Sequence, residues 1–415
     1  MPDISGPADT SRRRLAAVDA LRGLVIVLMA LDHARDFFHA GAMTGSPTDL
    51  TQTTAAVFLT RWVTHLCAPT FAGLAGLGAW LRLQRPGESR ASVARYLVSR
   101  GVGIIVLELT VMRLAMNATW SPAHPLLLLV LWMLGLSMIV LAALLWVPTR
   151  LLLVASVAVI AAHHGLDRVV AADLGSWAGL WRVLHEPGVV TVRGVVAVVG
   201  YPLIPWVAVM SAGFAIGPWF TLPADARRRR LFGVGLALCV GFVVLRWANG
   251  YGDPAPWAPQ ASGVFTGLSF LNTTKYPPSL AFLMMTLGPA LLLLGWMERR
   301  GWQPGHPLVV LGRVPLFFYV SHFVVLHAMA AGLALAVYGG AASAVLRMPV
   351  PSMGGPAAAF PPGFGYPLWV TYVAWVVVLI LLWPACQWVA GARARRGGAG
   401  AFRPGGARRG APASP

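Results

Sequence analysis

The chain has 415 residues, of which 57% are hydrophobic and only 11% charged. A soluble domain carries about a quarter charged residues, so this composition excludes an ordinary soluble protein. The net charge of +18 suggests nucleic acid, but the arginines cluster in every second gap between apolar runs. That is the positive-inside pattern of a membrane protein, and nucleic-acid binding is set aside.

Residues 1–14 and 391–415 are rich in Gly, Pro, Ala and Arg and read as disordered tails. Between them, residues 15–390 form one membrane domain. Apolar runs of about 20 residues match a bilayer core at 1.5 Å rise per residue. They place spans near 16–38, 55–83, 98–116, 125–146, 149–165, 194–219, 231–248, 278–297, 308–337 and 366–390. The first is too long for a signal peptide and carries Asp19 and Arg22, so it is read as a retained helix. In the sixth, Tyr201-Pro-Leu-Ile-Pro-Trp206 must interrupt or bend the span, because proline removes a backbone donor.

Basic clusters fall at Arg12–Arg14, Arg82–Arg100, Arg227–Arg230, Arg299–Arg300 and Arg393–Arg396. An even number of spans puts both termini on the same side, and these clusters make it the cytoplasmic side. The expectation is an all-α, polytopic transmembrane helical bundle of about ten spans with both termini cytoplasmic. The outer gaps 249–277 and 338–365 are rich in Pro, Gly and aromatics. They read either as ordered loops over the mouth of the bundle or as plain solvated loops. Cys67, Cys239 and Cys386 have unrelated spacings, which fits packing residues rather than a disulfide framework or a metal motif. No metal site is expected.

Ionisable groups inside spans are costly and so mark function. Here they are Arg22, Asp32, His33, Arg35, Arg61, His65, Glu108, Arg113, Arg246, His322 and His327, with Lys275 at the entrance of the eighth span. The first span runs outward, so Arg22 lies near its inner end. His33, eleven residues on, lies about 16 Å further along the helix, in the outer half. Counting places Arg61, His65, His322 and Lys275 toward the same layer.

Bland readings stand beside these. His65 and His327 can be interhelical hydrogen-bond partners, and Asp32, Arg35 and Asp36 can pair along one helix face. Glu108 is expected to pair with Arg113 or another arginine, since an unpaired buried charge is too costly. Lys275 is the only lysine beside 31 arginines. Where positive charge alone sufficed, this composition would supply arginine, so the lysine points to a need for a compact ammonium, with chance retention as the bland alternative.

Arg14-Leu-Ala-Ala-Val-Asp-Ala-Leu-Arg-Gly-Leu24, followed by Leu31-Asp32-His33, resembles the opening of membrane acyltransferases. The arginine, ten residues and histidine of the acyltransferase-3 family match Arg22 and His33. More of the chain resembles the heparan-α-glucosaminide N-acetyltransferase-like membrane family and its bacterial relatives. The pieces are Asp19-Ala-Leu-Arg-Gly23, Arg61-Trp-Val-Thr-His-Leu-Cys-Ala-Pro-Thr-Phe71, Tyr201-Pro-Leu-Ile-Pro-Trp206, Leu271-Asn-Thr-Thr-Lys-Tyr-Pro-Pro-Ser-Leu280 and Leu311-Gly-Arg-Val-Pro-Leu-Phe-Phe-Tyr319 with His322, in the expected order.

The resemblance implies acetyl transfer across the bilayer, from cytosolic acetyl-CoA to an outer-side acceptor, in the inner (cytoplasmic) membrane of a bacterium. The acceptor would be an envelope carbohydrate or a small polar molecule. The family's proposed catalytic histidine lies in the loop after the first helix. His39 is its nearest counterpart, whereas His33 fits the acyltransferase-3 pattern, and both stay open as the base.

Transfer needs a base to take the acceptor's proton and positive groups where the oxyanion develops. His33 is the first choice of base, Lys275 stabilises charge or orients the acceptor, and His65 and His322 support or replace His33. Arg22, Arg82 and Arg227 would hold the phosphates of CoA. The rival reading is a transporter or lipid carrier without chemistry. Oligomeric state is not readable from the sequence.

Overall fold

A computed structural model of the chain describes residues 7–118, 120–121, 124–340 and 363–399. In chain order its main elements are α1 (Pro7–Phe38), α2 (Ala55–Thr64), α3 (Cys67–Leu83), α4 (Arg90–Leu107), β1 (Leu126–Leu128), α5 (Val130–Leu144) and α6 (Thr149–Ala162). There follow β2 (Gly188–Val192), β3 (Val195–Val199), α7 (Leu203–Ala215), α8 (Ala224–Ala248), α9 (Gly263–Leu271), α10 (Leu280–Met297), α11 (Pro307–Arg313), α12 (Pro315–Tyr338) and α13 (Leu368–Ala399). Helix α1 begins inside the segment expected as a tail, and α13 runs past residue 390. Most of the loop expected at 338–365 lies outside the described residues.

The molecule is a mostly helical membrane bundle, as its composition implies. Seven helices among the described residues are long and apolar enough to cross a membrane: Ala55–Leu83, Thr149–Arg168, Leu203–Thr221, Ala224–Ala248, Leu280–Met297, Pro315–Tyr338 and Leu368–Arg395. The other three expected spans, α1, α4 and the 15-residue α5, are helical as well. Helix α1 is central and packs against α3, α11, α12 and α13. It crosses α11 at two glycines. A Cβ at Gly23 would stand 1.9 Å from the Leu308 carbonyl oxygen, and one at Gly312 1.8 Å from that of Asp19.

Two expected spans start differently. Residues 188–199 form a hairpin, and β1 joins it in parallel to give the order β1-β3-β2, with Leu126 opposite Ala197 and Leu128 opposite Val199. The valine-rich run is therefore extended where a helix was expected from residue 194, because β-branched side chains suit a pleated surface. Arg193 (φ +49°) and Gly194 (φ +80°) make the turn, with the positive φ at both central residues that a two-residue hairpin demands. Helix α7 starts only after Pro202. The prolines of Tyr201-Pro-Leu-Ile-Pro-Trp206 thus open this helix rather than breaking it, since the first turn needs no N–H from them.

The second expected span is a helix with a kink. Pro69 has no N–H for the carbonyl of His65 four residues back. Helix α2 ends at Thr64 and α3 begins at Cys67, which leaves His65 at the break. Helix α4 runs through a π-turn at Glu108–Met112 into Arg113–Asn117. The loop 249–277 is ordered: Arg246 donates to the carbonyls of Ala255, Ser269, Phe270 and Asn272 at 2.9–3.0 Å.

Candidate functional site

Helix α1 carries the first half of the site. Asp32, His33, Arg35 and Asp36 fall within two turns and are all buried or nearly so. Arg35 donates to Asp36 at 2.5 Å and stands 3.5 Å from Asp32. Arg61, on α2, binds the other oxygen of Asp32. This arginine–carboxylate lattice neutralises charges that would be too costly alone. His33 stands beside it, with Nδ1 3.7 Å from Asp36, beyond hydrogen-bond distance.

The ring of His33 packs against α12, with centroids 4.3 Å from Phe323, 5.2 Å from His322 and 6.3 Å from Tyr319. His322 is fully buried, and its Nδ1 lies 2.9 Å from the carbonyl oxygen of Phe318. A carbonyl only accepts, so Nδ1 carries the proton. Nε2 of His322 is then a lone-pair nitrogen, and it has no partner among the described residues. His65, placed by the kink, is buried with Nδ1 likewise unpartnered and its ring against Phe282.

Lys275 arrives on the turn between α9 and α10. Asp253 accepts from the Thr274 N–H and hydroxyl at 2.9 Å and from the Ser279 hydroxyl at 2.6 Å. Lys275 and Pro278 form a bridge across the turn. The ammonium lies 5.1 Å from the Tyr276 ring centroid and 5.9 Å from that of Tyr201. Among the described residues it makes no ion pair, so the rings are its counterpart. Burial works to raise the Tyr276 phenol, but Lys275 and Arg61 outweigh it and hold the phenol below its ordinary value.

His33, Arg61, His65, Tyr201, Lys275 and Tyr319 line one cavity of about 730 Å³, whereas the fully buried His322 is not among its lining residues. His39 is not among its residues. Its Nδ1 accepts the Gly41 N–H at 3.1 Å, and burial together with Arg35 keeps its imidazole below the usual histidine value. His327 takes the bland role, with Nδ1 2.8 Å from the Ala115 carbonyl oxygen.

A second cavity, of about 470 Å³, lies along α1, α3, α4 and α5. Arg22, Arg82, Arg85, Arg100, Arg313 and Arg393 line it, with apolar walls from Met29, Phe71 and Leu134. Arg22 donates to Asp19 at 2.9 Å and to the Gly312 carbonyl at 3.2 Å, directly at the glycine crossing. Arg82 pairs with Glu88 at 2.6 Å and stacks 4.0 Å over the Tyr96 ring. Six guanidinium groups with donors in planar forks suit phosphate.

Arg227 does not join them: it binds both oxygens of Glu298 at 2.8 Å and lies outside the cavity. The expected role of Arg227 toward CoA therefore has no geometric support. Glu108 also departs from expectation. Its Oε2 accepts the backbone N–H groups of Leu131 (2.6 Å) and Trp132 (3.0 Å), at the positive end of α5, while Arg113 binds the carbonyls of Ser121 and His124.

Reading ionisable groups alone passed over two parts of the site. Tyr319 and Val130 line both cavities and are the residues the two share. Behind Lys275, Nε2 of His163 lies 3.0 Å from the Pro278 carbonyl oxygen, and Asp167 binds His164 and His185 at 2.6 and 2.7 Å. Among the described residues, no group of three or more His, Cys, Asp or Glu side chains could hold a metal ion.

Compared with curated proteins, the chain gives no match. Compared with protein families, residues 14–241 match the family described as heparan-alpha-glucosaminide N-acetyltransferase, catalytic. The match takes in nearly all of α1, with Arg22 and His33, then α2 to α7 and most of α8, while Lys275, Tyr319 and His322 lie beyond it. The match covers more than half of the 415 residues, and the chain is a membrane protein of the heparan-α-glucosaminide N-acetyltransferase catalytic-domain family, a family of acetyltransferases.

Proposed function

We propose that this protein moves an acetyl group from acetyl-CoA in the cytosol to an acceptor on the outer side of a bacterial cytoplasmic membrane, through a bundle of about ten crossings. The observation that carries the reading is the pair of cavities with opposite chemistry that share Tyr319 and Val130. The arginine cavity fits the phosphates of CoA, held by Arg22, Arg82, Arg85 and Arg100. The positive-inside clusters support a cytosolic side for that cavity. The family name supplies the acceptor type, a sugar amine. An amine or hydroxyl of an envelope carbohydrate, or of a small polar molecule, would enter the histidine cavity.

His33 takes the acceptor's proton as the nucleophile attacks the thioester carbonyl. Phe323 packs against its ring at 4.3 Å, and the Asp36 carboxylate lies 3.7 Å from its Nδ1. The proton then passes to the departing CoA thiolate. Lys275 orients the acceptor, and its ammonium adds positive potential as the carbonyl oxygen becomes anionic. His322 keeps a neutral Nε2 beside His33 and can hold or relay that proton. A transporter reading needs a carboxylate free to bind the coupling ion. Asp32 is paired with Arg61, and one oxygen of Glu108 is engaged by the start of α5, which weighs against it.

The test is sidedness. Proteoliposomes are loaded with labelled acetyl-CoA and supplied outside with an amino sugar such as methyl α-glucosaminide. Label appearing on the external sugar from trapped acetyl-CoA supports the reading. Label that appears only when donor and acceptor share one side contradicts transfer across the membrane, and uptake of the sugar without acetylation favours a carrier.

A further inference from the structure

The two cavities share a side chain that the mechanism above has not used. Of the two shared residues, Val130 is apolar and Tyr319 carries the polar group. Tyr319 is buried to within 5% of full exclusion on α12. Its ring stands edge-on to His33 at 6.3 Å and packs against His322 at 5.6 Å and Phe323 at 5.4 Å. Its hydroxyl makes no hydrogen bond to another described residue and yet is not sealed in the core, unlike Nε2 of the neighbouring His322. A phenol reaching cavity space without a protein partner is a donor free for a ligand.

We propose that Tyr319 is a catalytic residue: its ring closes the passage between the two cavities, and its hydroxyl donates a hydrogen bond to the thioester carbonyl oxygen during transfer. This rests on the acetyl-transfer reading above. A thioester whose CoA phosphates lie among the arginines and whose acetyl end points to His33 must bring its carbonyl to the shared wall. There the acceptor nitrogen or oxygen bonds to the carbonyl carbon and the π electrons move onto oxygen, against the Tyr319 O–H. As the carbonyl re-forms, the C–S bond breaks and its electron pair leaves with sulfur. The acceptor's proton goes to His33 and then to that thiolate, so tyrosine ends unchanged. Lys275 lines only the histidine cavity, so it cannot replace a donor placed at the junction. The ring has a second effect: it keeps water in the acceptor cavity from the thioester until an acceptor is bound.

The experiment uses the full chain in lipid nanodiscs, acetyl-CoA as donor and hydroxylamine as a small surrogate acceptor, with hydroxamate and free CoA thiol measured above protein-free rates. Tyr319→Phe keeps the packing and removes the hydroxyl. The expected result is a fall in kcat of about 100-fold, the scale of one lost oxyanion donor, with KM for acetyl-CoA within two-fold. Tyr319→Ala is expected to raise the share of acetyl-CoA lost to water over that trapped as hydroxamate. Turnover of Tyr319→Phe within two-fold of wild type, or a change confined to KM, overturns the proposal while leaving acetyl transfer intact. A wild type that binds acetyl-CoA but never consumes it overturns the meeting point at Tyr319. If the wild type neither binds nor consumes acetyl-CoA, the acetyl-transfer reading falls, and the role of Tyr319 with it.

Discussion

Lys275 owes its position to residues that never reach the cavity. Asp253 fixes one side of its turn through Thr274 and Ser279, and His163 holds the other through Pro278. The ammonium then faces two aromatic rings rather than a carboxylate. Lys275→Arg keeps the charge but puts a wide planar fork where a compact cation sits between Tyr201 and Tyr276. The expected outcome is a loss of turnover of about ten-fold or more with acetyl-CoA binding unchanged; wild-type kinetics in this variant would show that charge alone suffices. His163→Ala leaves the Pro278 carbonyl without its donor, a change of about 1–3 kcal/mol for a buried group. It should weaken acceptor KM while His163→Gln, which can donate again, recovers part of it. The in-span list found Asp32, His33, Arg61, His65 and His322 because charge in an apolar run is conspicuous in any sequence. It misplaced the partner of Glu108, since backbone N–H groups at a helix start leave no mark in residue types. His163 and Tyr319 were passed over because one sits at a helix edge and the other is a common core residue.

Most helices follow from apolar runs of bilayer length, and their ends follow from proline. The kink at His65 comes from Pro69, the start of α7 from Pro202, and the step between α11 and α12 from Pro315. What length and hydropathy could not separate was helix from strand in the short runs Leu126–Leu128 and Val195–Val199, which are apolar in either state. The sheet matters to the site because it sets the ends of β1 and β3 side by side, with the Gly200 N–H bonded to the Leu128 carbonyl at 3.1 Å. Leu129 and Val130 on one side and Tyr201 on the other thereby reach the histidine cavity. Helix packing shows the same dependence on small detail at Gly312. Gly312→Val would drive its side chain into the Asp19 backbone and part α1 from α11 beside Arg22. Such overpacking destabilises by about 1–3 kcal/mol or more. Thermal unfolding in detergent should show a lower midpoint and weakened CoA binding together, and an unchanged midpoint would argue against the close crossing.

Over the whole molecule, one central helix serves two cavities, with Arg22 lining an arginine-rich one at one end and His33 lining, at the other, a mixed one that also holds His65, Arg35, Arg61 and Lys275. The arginines fall in clusters along the chain, as the positive-inside reading expects, and the fold gathers part of them into a lined cavity. Arg227 shows the limit of reading clusters by charge: it belongs to a basic run, yet Glu298 engages it away from the cavity. Arg227→Ala should therefore lower stability and leave CoA affinity within about two-fold in the folded fraction. Arg100→Ala, by contrast, should weaken CoA binding by about ten-fold, as expected for one lost charge-assisted phosphate contact. Isothermal titration with CoA separates the two.

The most direct test of the account is saturable binding of labelled acetyl-CoA to the purified chain in nanodiscs, with unlabelled CoA as competitor and His33→Ala alongside. The account predicts binding that CoA displaces, equal in wild type and His33→Ala, with acetyl turnover lost only in the variant. Absence of binding by a folded wild type, or full turnover by His33→Ala, would contradict it.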